Sequence, residues 1–176
     1  MTNTPVKAKI KGLCYTVAAT VYPKLPPSYR YADYTARLLF MTAAHESDSF
    51  RARRQYGFNA NTLGGAFSFW QMEKTAIKEA LQWIEKNFDA AQRIRKLLQP
   101  EDLQAVRSGY RAVLKRIQTS DGDMLACILA RIYYLQKPGA IPSTNIERAR
   151  YAKKYWNTEM GKADYLDYAN AFTRLW

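Results

Sequence analysis

A single, mostly α-helical domain with one irregular insert is the fold class this chain predicts, and three observations predict it. Apolar residues recur at helical spacing along most of the 176 residues. Clusters of proline and glycine cut those stretches into helix-sized pieces. Between residues 47 and 70 the period fails, in a run that holds Gly57, Asn59, Asn61, Gly64 and Gly65. The chain is long enough to bury a core, and its 48% hydrophobic and 14% aromatic residues supply one. No segment repeats or thins into a linker, so residues 1–176 are expected to form one domain.

The elements follow in order. Val6, Ile10, Leu13, Cys14, Val17 and Val21 mark an amphipathic helix over 5–22. Pro23, Pro26 and Pro27 stop it, and Ser28 caps the next, which runs through Tyr34, Leu38, Leu39 and Met41 toward Ala44. After the insert, with room for a short hairpin, the helical period returns near Met72, with Ile77, Leu81, Ile84 and Phe88 on one face. A further helix is expected over 89–98, and Pro100 opens one reaching about Gln118. The turn "TSDGD" at 119–123 leads into the most apolar helix, Met124 to Leu135; "QKPGAIPST" breaks the chain again, and helices over 144–156 and 163–175 close it.

Composition narrows the chemistry. One histidine and two separated cysteines leave a zinc site without its usual ligands. No metal or cofactor is expected. Cys14 and Cys127 fall in apolar helical patterns and read as small buried hydrophobes. The net charge of +12 favours a polyanionic partner, either nucleic acid or an anionic envelope surface. The first residues carry lysines but no apolar run followed by a cleavage site, so no secretory signal is expected.

Chemistry is most readily placed at "AAHESDSF", residues 43–50. Glu46 falls at the C-terminal end of the second helix, where unpaired carbonyls and the negative end of the dipole disfavour a carboxylate. Partial burial acts in the same direction, and a carboxylic acid that keeps its proton near neutral pH suits a general acid for glycosidic cleavage. The alternative is a solvated helix end. His45 is expected to be structural, since adjacent helical residues point about 100° apart. Downstream, "GGAFSFWQME" at 64–73 sets Gly-Ala, three aromatics and a glutamine directly after the insert.

Taken together, these two stretches resemble the lysozyme-like fold, and within it the soluble lytic transglycosylase and phage endolysin group. That family pairs a Glu-Ser at the end of a long helix with a Gly-Ala-x-Gly-Leu-Met-Gln stretch. Here Glu46-Ser47 matches the first element, with Phe50 at the usual aromatic position. Gly65-Ala66-Phe67-Ser68-Phe69-Trp70-Gln71 matches the second in register, and Thr75-Ala76 echoes its continuation. Ser68 replaces a glycine and Phe69-Trp70 replaces Leu-Met. The late Ala-Tyr-Asn-Ala-Gly element has its nearest counterpart in "ARIYYLQKPG", without the asparagine. The resemblance covers roughly residues 36–76.

The resemblance implies a lysozyme-like helical domain with the insert as one wall of a cleft, and a peptidoglycan glycosidase acting on the bond between N-acetylmuramic acid and N-acetylglucosamine. Glu46 would be the general acid and base. Ser47 would steady the acid or the substrate, Gln71 would bond the sugar, and Phe67, Phe69 and Trp70 would supply apolar walls. Tyr133 or Tyr134 would donate to Glu46 or the sugar. Asp48 and Glu73 are the candidate second carboxylates that hydrolysis needs; a lytic transglycosylase needs none. Arg51, Arg53, Arg54 and the basic run from Lys74 to Arg116 would hold the protein against anionic wall polymer or lipopolysaccharide. Such a protein without a signal is a common bacteriophage product, made in the cytoplasm and acting on the wall after lysis or from a virion. Two other readings stand beside it: a scaffold of the same fold that binds wall without cleaving it, and a basic helical protein tracking nucleic-acid phosphates.

Overall fold

The computed structural model describes residues 4–22, 24, 26–53, 65–157 and 163–176. It is mostly helical. In chain order come α1 (Thr4–Thr20), α2 (Tyr29–Glu46), α3 (Lys74–Lys86), α4 (Phe88–Arg95), α5 (Pro100–Ser108), α6 (Tyr110–Arg116), a short 3-10 turn (Ser120–Gly122), α7 (Asp123–Leu135), α8 (Asn145–Tyr155) and α9 (Tyr165–Leu175).

Two helices are buried on nearly all sides, as their sequences require. In α2 every residue from Leu38 to Ala44 is buried; in α7 so is every residue from Leu125 to Ile132. The helix α2 packs against α1, α7, α8 and α9, and α7 in turn holds α1 and α3. Short polar signals set the boundaries. Ser28 accepts from the Tyr31 N–H at 3.2 Å and starts α2. Thr144 accepts from Glu147 N–H at the start of α8, and Asp164 forms a reciprocal capping box with Asp167 at the start of α9. Buried Arg131 donates to the Val21 carbonyl at 3.2 Å, satisfying an acceptor just past α1. Cys14 and Cys127 are both buried free thiols, as expected, and they meet between α1 and α7; burial pushes the Cys127 thiol well up.

Two expectations for the middle of the chain are corrected. The helix expected from Pro100 to Gln118 is two helices, because Gly109 stands at φ 89°, ψ −176°, a conformation that interrupts the hydrogen-bond ladder and that glycine alone adopts cheaply. Phe88, expected on the buried face of the preceding helix, instead opens α4 and is 65% exposed, because α3 ends at Lys86 and Asn87 turns the chain. One isolated antiparallel bridge, Phe67 to Met72, closes the end of the insert; residues 54–64, including Arg54, Gly57, Asn59, Asn61 and Gly64, lie outside the described residues, and with them the place of the expected hairpin.

The segment after α2 is anchored to the start of α7. Asp123 is 1% exposed and receives both guanidinium nitrogens of Arg53, one at 2.9 Å, together with the Lys9 ammonium at 3.0 Å. At a helix N-terminus a carboxylate is favoured by the dipole, and two cations offset its desolvation. Arg53 also lies 4.0 Å over the Phe69 ring, so one side chain joins the insert's two ends to the core. No helix among the described residues is long and apolar enough to cross a membrane.

Candidate active site

Glu46 is the last residue of α2, and the chain beyond it turns through an uncommon path. Asp48, Ser49 and Phe50 stand at φ 49°, 61° and 67°, three consecutive non-glycine residues in the left-handed region. Each costs on the order of 1 kcal/mol and needs surrounding structure to hold it. Ser47 provides part of that structure: its buried hydroxyl donates to the Ala43 carbonyl and accepts from the Phe50 N–H at 2.9 Å. The ring of Phe50 then enters the core edge-on to Phe40 at 5.3 Å and to Phe69 at 5.5 Å. The result is a rigid stop behind the acid, so the Glu46 side chain leaves a fixed backbone.

The carboxyl is half-buried and bonded by one phenol. Tyr168 of α9 donates its hydroxyl proton to Glu46 Oε1. Burial raises the Glu46 pKa from 4.5 to about 7; the Tyr168 hydrogen bond and the charge of Lys153 act the other way, favouring the carboxylate. Near neutral pH the group is therefore divided between acid and base forms. His45 stacks on the Tyr168 ring, centroids 3.8 Å apart at 30°, and so holds the phenol from its far face. Desolvation lowers the His45 pKa, which keeps the imidazole neutral. The Asn157 side chain meets the same Tyr168 hydroxyl, and burial together with the Glu46 charge drives the Tyr168 pKa far up, so the phenol stays a donor.

The other residues singled out in the sequence take varied places. Ser47 is occupied with backbone and faces neither acid nor solvent, because its hydroxyl is what closes the left-handed turn. Trp70 is fully buried and its indole N–H donates to the Leu39 carbonyl at 2.9 Å; Phe67 is fully buried and Phe69 is 3% exposed. None of the three offers a solvent-facing wall, since the cluster fills the space beneath α2. Gln71, at φ 46°, donates to the Ser68 carbonyl at 2.9 Å, and its Oε1 is buried without a partner among the described residues. Tyr133 donates to the Tyr155 carbonyl at 2.6 Å, and Tyr134 bonds the Thr42 hydroxyl at 2.8 Å, so the phenol on Glu46 comes from neither. Asp48 is exposed and pairs with Arg51 at 3.4 Å, and Glu73 is exposed before α3.

Tyr168, which bonds the acid, and Asn157, which meets the Tyr168 hydroxyl, were not among the residues expected from the sequence. Tyr168 sits in "YANA", residues 168–171, which holds in altered order the residue types sought at 130–139. His45 also lines an open cleft of about 320 Å³ with Asp48, Asp167, Asn170 and Arg174, and Glu46 is not among its walls. Among the described residues no group of three or more histidine, cysteine or acidic side chains is arranged to hold a metal. Compared with models of known families, with curated proteins and with solved structures, the chain matches none.

Proposed function

We propose that the chain is a peptidoglycan-cleaving glycosidase of the lytic transglycosylase type, with Glu46 as its single acid and base. The observation that carries this reading is the half-buried Glu46 carboxyl bonded by Tyr168; burial pushes the pKa of that carboxyl up to about 7. In the proposed reaction the Glu46 proton passes to the oxygen joining N-acetylmuramic acid to N-acetylglucosamine, and the C1–O bond breaks with both electrons leaving on oxygen. The carboxylate so formed is favoured by the Tyr168 hydrogen bond and by Lys153. It then takes the proton of the muramic 6-hydroxyl, whose oxygen closes onto C1. Glu46 ends protonated, and no water is consumed.

The choice of transglycosylase over hydrolase is supported by what surrounds the acid. Among the described residues, the charged and bonding groups that shift Glu46 are Tyr168 and Lys153, with no carboxylate among them. Asp48 and Glu73, the acids sought for a hydrolytic partner, are both exposed. The +12 charge supports retention on anionic wall polymer. The test is digestion of purified peptidoglycan with mass analysis of the soluble products. Anhydro-muropeptides from wild type and none from Glu46→Gln are expected. Reducing-end products would make the protein a muramidase, and no product from either would refute the glycosidase reading.

A further inference from the structure

With Phe67, Phe69 and Trp70 in the core, the side of the acid that meets a sugar has to be built from other residues, and the end of α8 supplies them. Trp156 packs edge-on to Tyr133 at 4.8 Å and tilted against Tyr134 at 5.2 Å. Tyr134 bonds Thr42, one helical turn before Glu46. Asn157, the next residue, meets the Tyr168 hydroxyl that donates to Glu46. Asn157 is therefore linked to the acid through one hydroxyl, and Trp156 beside it packs on the tyrosine that bonds Thr42.

Trp70 is fully buried and its N–H is bonded. Trp156 is half-buried, and among the described residues its indole N–H has no partner. A half-exposed indole offers an apolar face at one edge and a polar handle at the other. A pyranose ring has the matching form, with C–H groups on one face and hydroxyl or acetamido groups around its rim. The Asn157 amide adds a donor and an acceptor suited to an acetamido group.

We propose that Trp156 and Asn157 form the sugar-binding wall of the site and receive an N-acetylated pyranose next to Glu46. This rests on the glycosidase reading of Glu46. The experiment is calorimetric binding of an N-acetylglucosamine tetramer to Glu46→Gln protein, alone and combined with Trp156→Ala, Trp156→Phe or Asn157→Ala. Thermal melts confirm folding, and peptidoglycan kinetics follow in the wild-type background. Trp156→Ala should weaken binding about tenfold; Trp156→Phe should retain most of it, and Asn157→Ala should lose several-fold. In the active background Trp156→Ala should raise KM while kcat changes little. Should Trp156→Ala fail to fold, the Phe and Asn157 variants decide. Tetramer binding unchanged in folded variants, or absent from the Glu46→Gln parent, would overturn the wall. Binding that depends on Trp156 in a protein whose wild type releases no muropeptide would leave the wall standing and refute the catalytic reading instead.

Discussion

Replacing Tyr168 by phenylalanine removes one hydroxyl and keeps the ring that stacks on His45 at 3.8 Å. The hydroxyl donates to Glu46 Oε1 and lowers the carboxyl's pKa against the larger effect of burial. Its loss must therefore raise the Glu46 pKa above 7, because the desolvated carboxylate loses its hydrogen bond while remaining half-buried. Hydrogen bonds to charged groups contribute about 1.5–3 kcal/mol. The protonated acid also bonds a phenol, so only the charge-assisted excess counts, roughly 1.5 kcal/mol, or about one pH unit. The assay is the pH dependence of kcat/KM for peptidoglycan solubilisation, whose alkaline limb reports loss of the general acid. Tyr168→Phe should move that limb to higher pH by about one unit, with a lower maximum because the carboxyl is less well held. A limb that stays in place, or moves to lower pH, would refute the assignment of Tyr168 as the group that tunes the acid.

Three further outcomes follow from the same geometry. A Glu46 pKa raised from 4.5 to about 7 means the folded protein keeps a proton that the unfolded chain releases, so stability falls as pH rises through that window, by up to about 3 kcal/mol above pH 7. Glu46→Gln should match wild type in urea at pH 4 and exceed it at pH 8.5; parallel curves would contradict this. Asp123→Asn removes the buried partner of Arg53 and Lys9 and should destabilise by about 3 kcal/mol in thermal or denaturant unfolding. Trp70→Phe empties part of the core and forfeits the bond to Leu39, which should cost about 2–3 kcal/mol while leaving the affinity for an N-acetylglucosamine tetramer unchanged.

How much of this was legible in the sequence depends on the range of the interactions involved. Helices whose ends carry local signals were readable: Ser28 begins α2 and Thr144 begins α8, each through a contact three residues away. Gly109 lies inside a convincing apolar period, and only its backbone angle shows that the helix stops there. The place of the Glu46 carboxyl at a helix end was readable, but not its partner. Tyr168 lies 122 residues from Glu46, and periodicity says nothing about which of thirteen tyrosines will cross that distance. The aromatic run at 67–70 was misplaced for the same reason. Three large apolar residues after a glycine suit a sugar wall and a core cluster equally well, and the bond from Trp70 to Leu39 decides for the core. Ser47 shows a third case, in which a side chain next to a functional residue serves the backbone that aims it.

The proposed chemistry requires a protonated Glu46, and this can be measured without any substrate. With glutamate labelled at the carboxyl carbon, the Glu46 resonance is assigned by its disappearance in Glu46→Gln and followed by NMR from pH 3 to pH 10. A midpoint near 7, well separated from the other glutamates, is the predicted result. A midpoint near 4.5 would mean a solvated, ionised carboxylate at neutral pH, and the acid proposed for bond cleavage would have no proton to give.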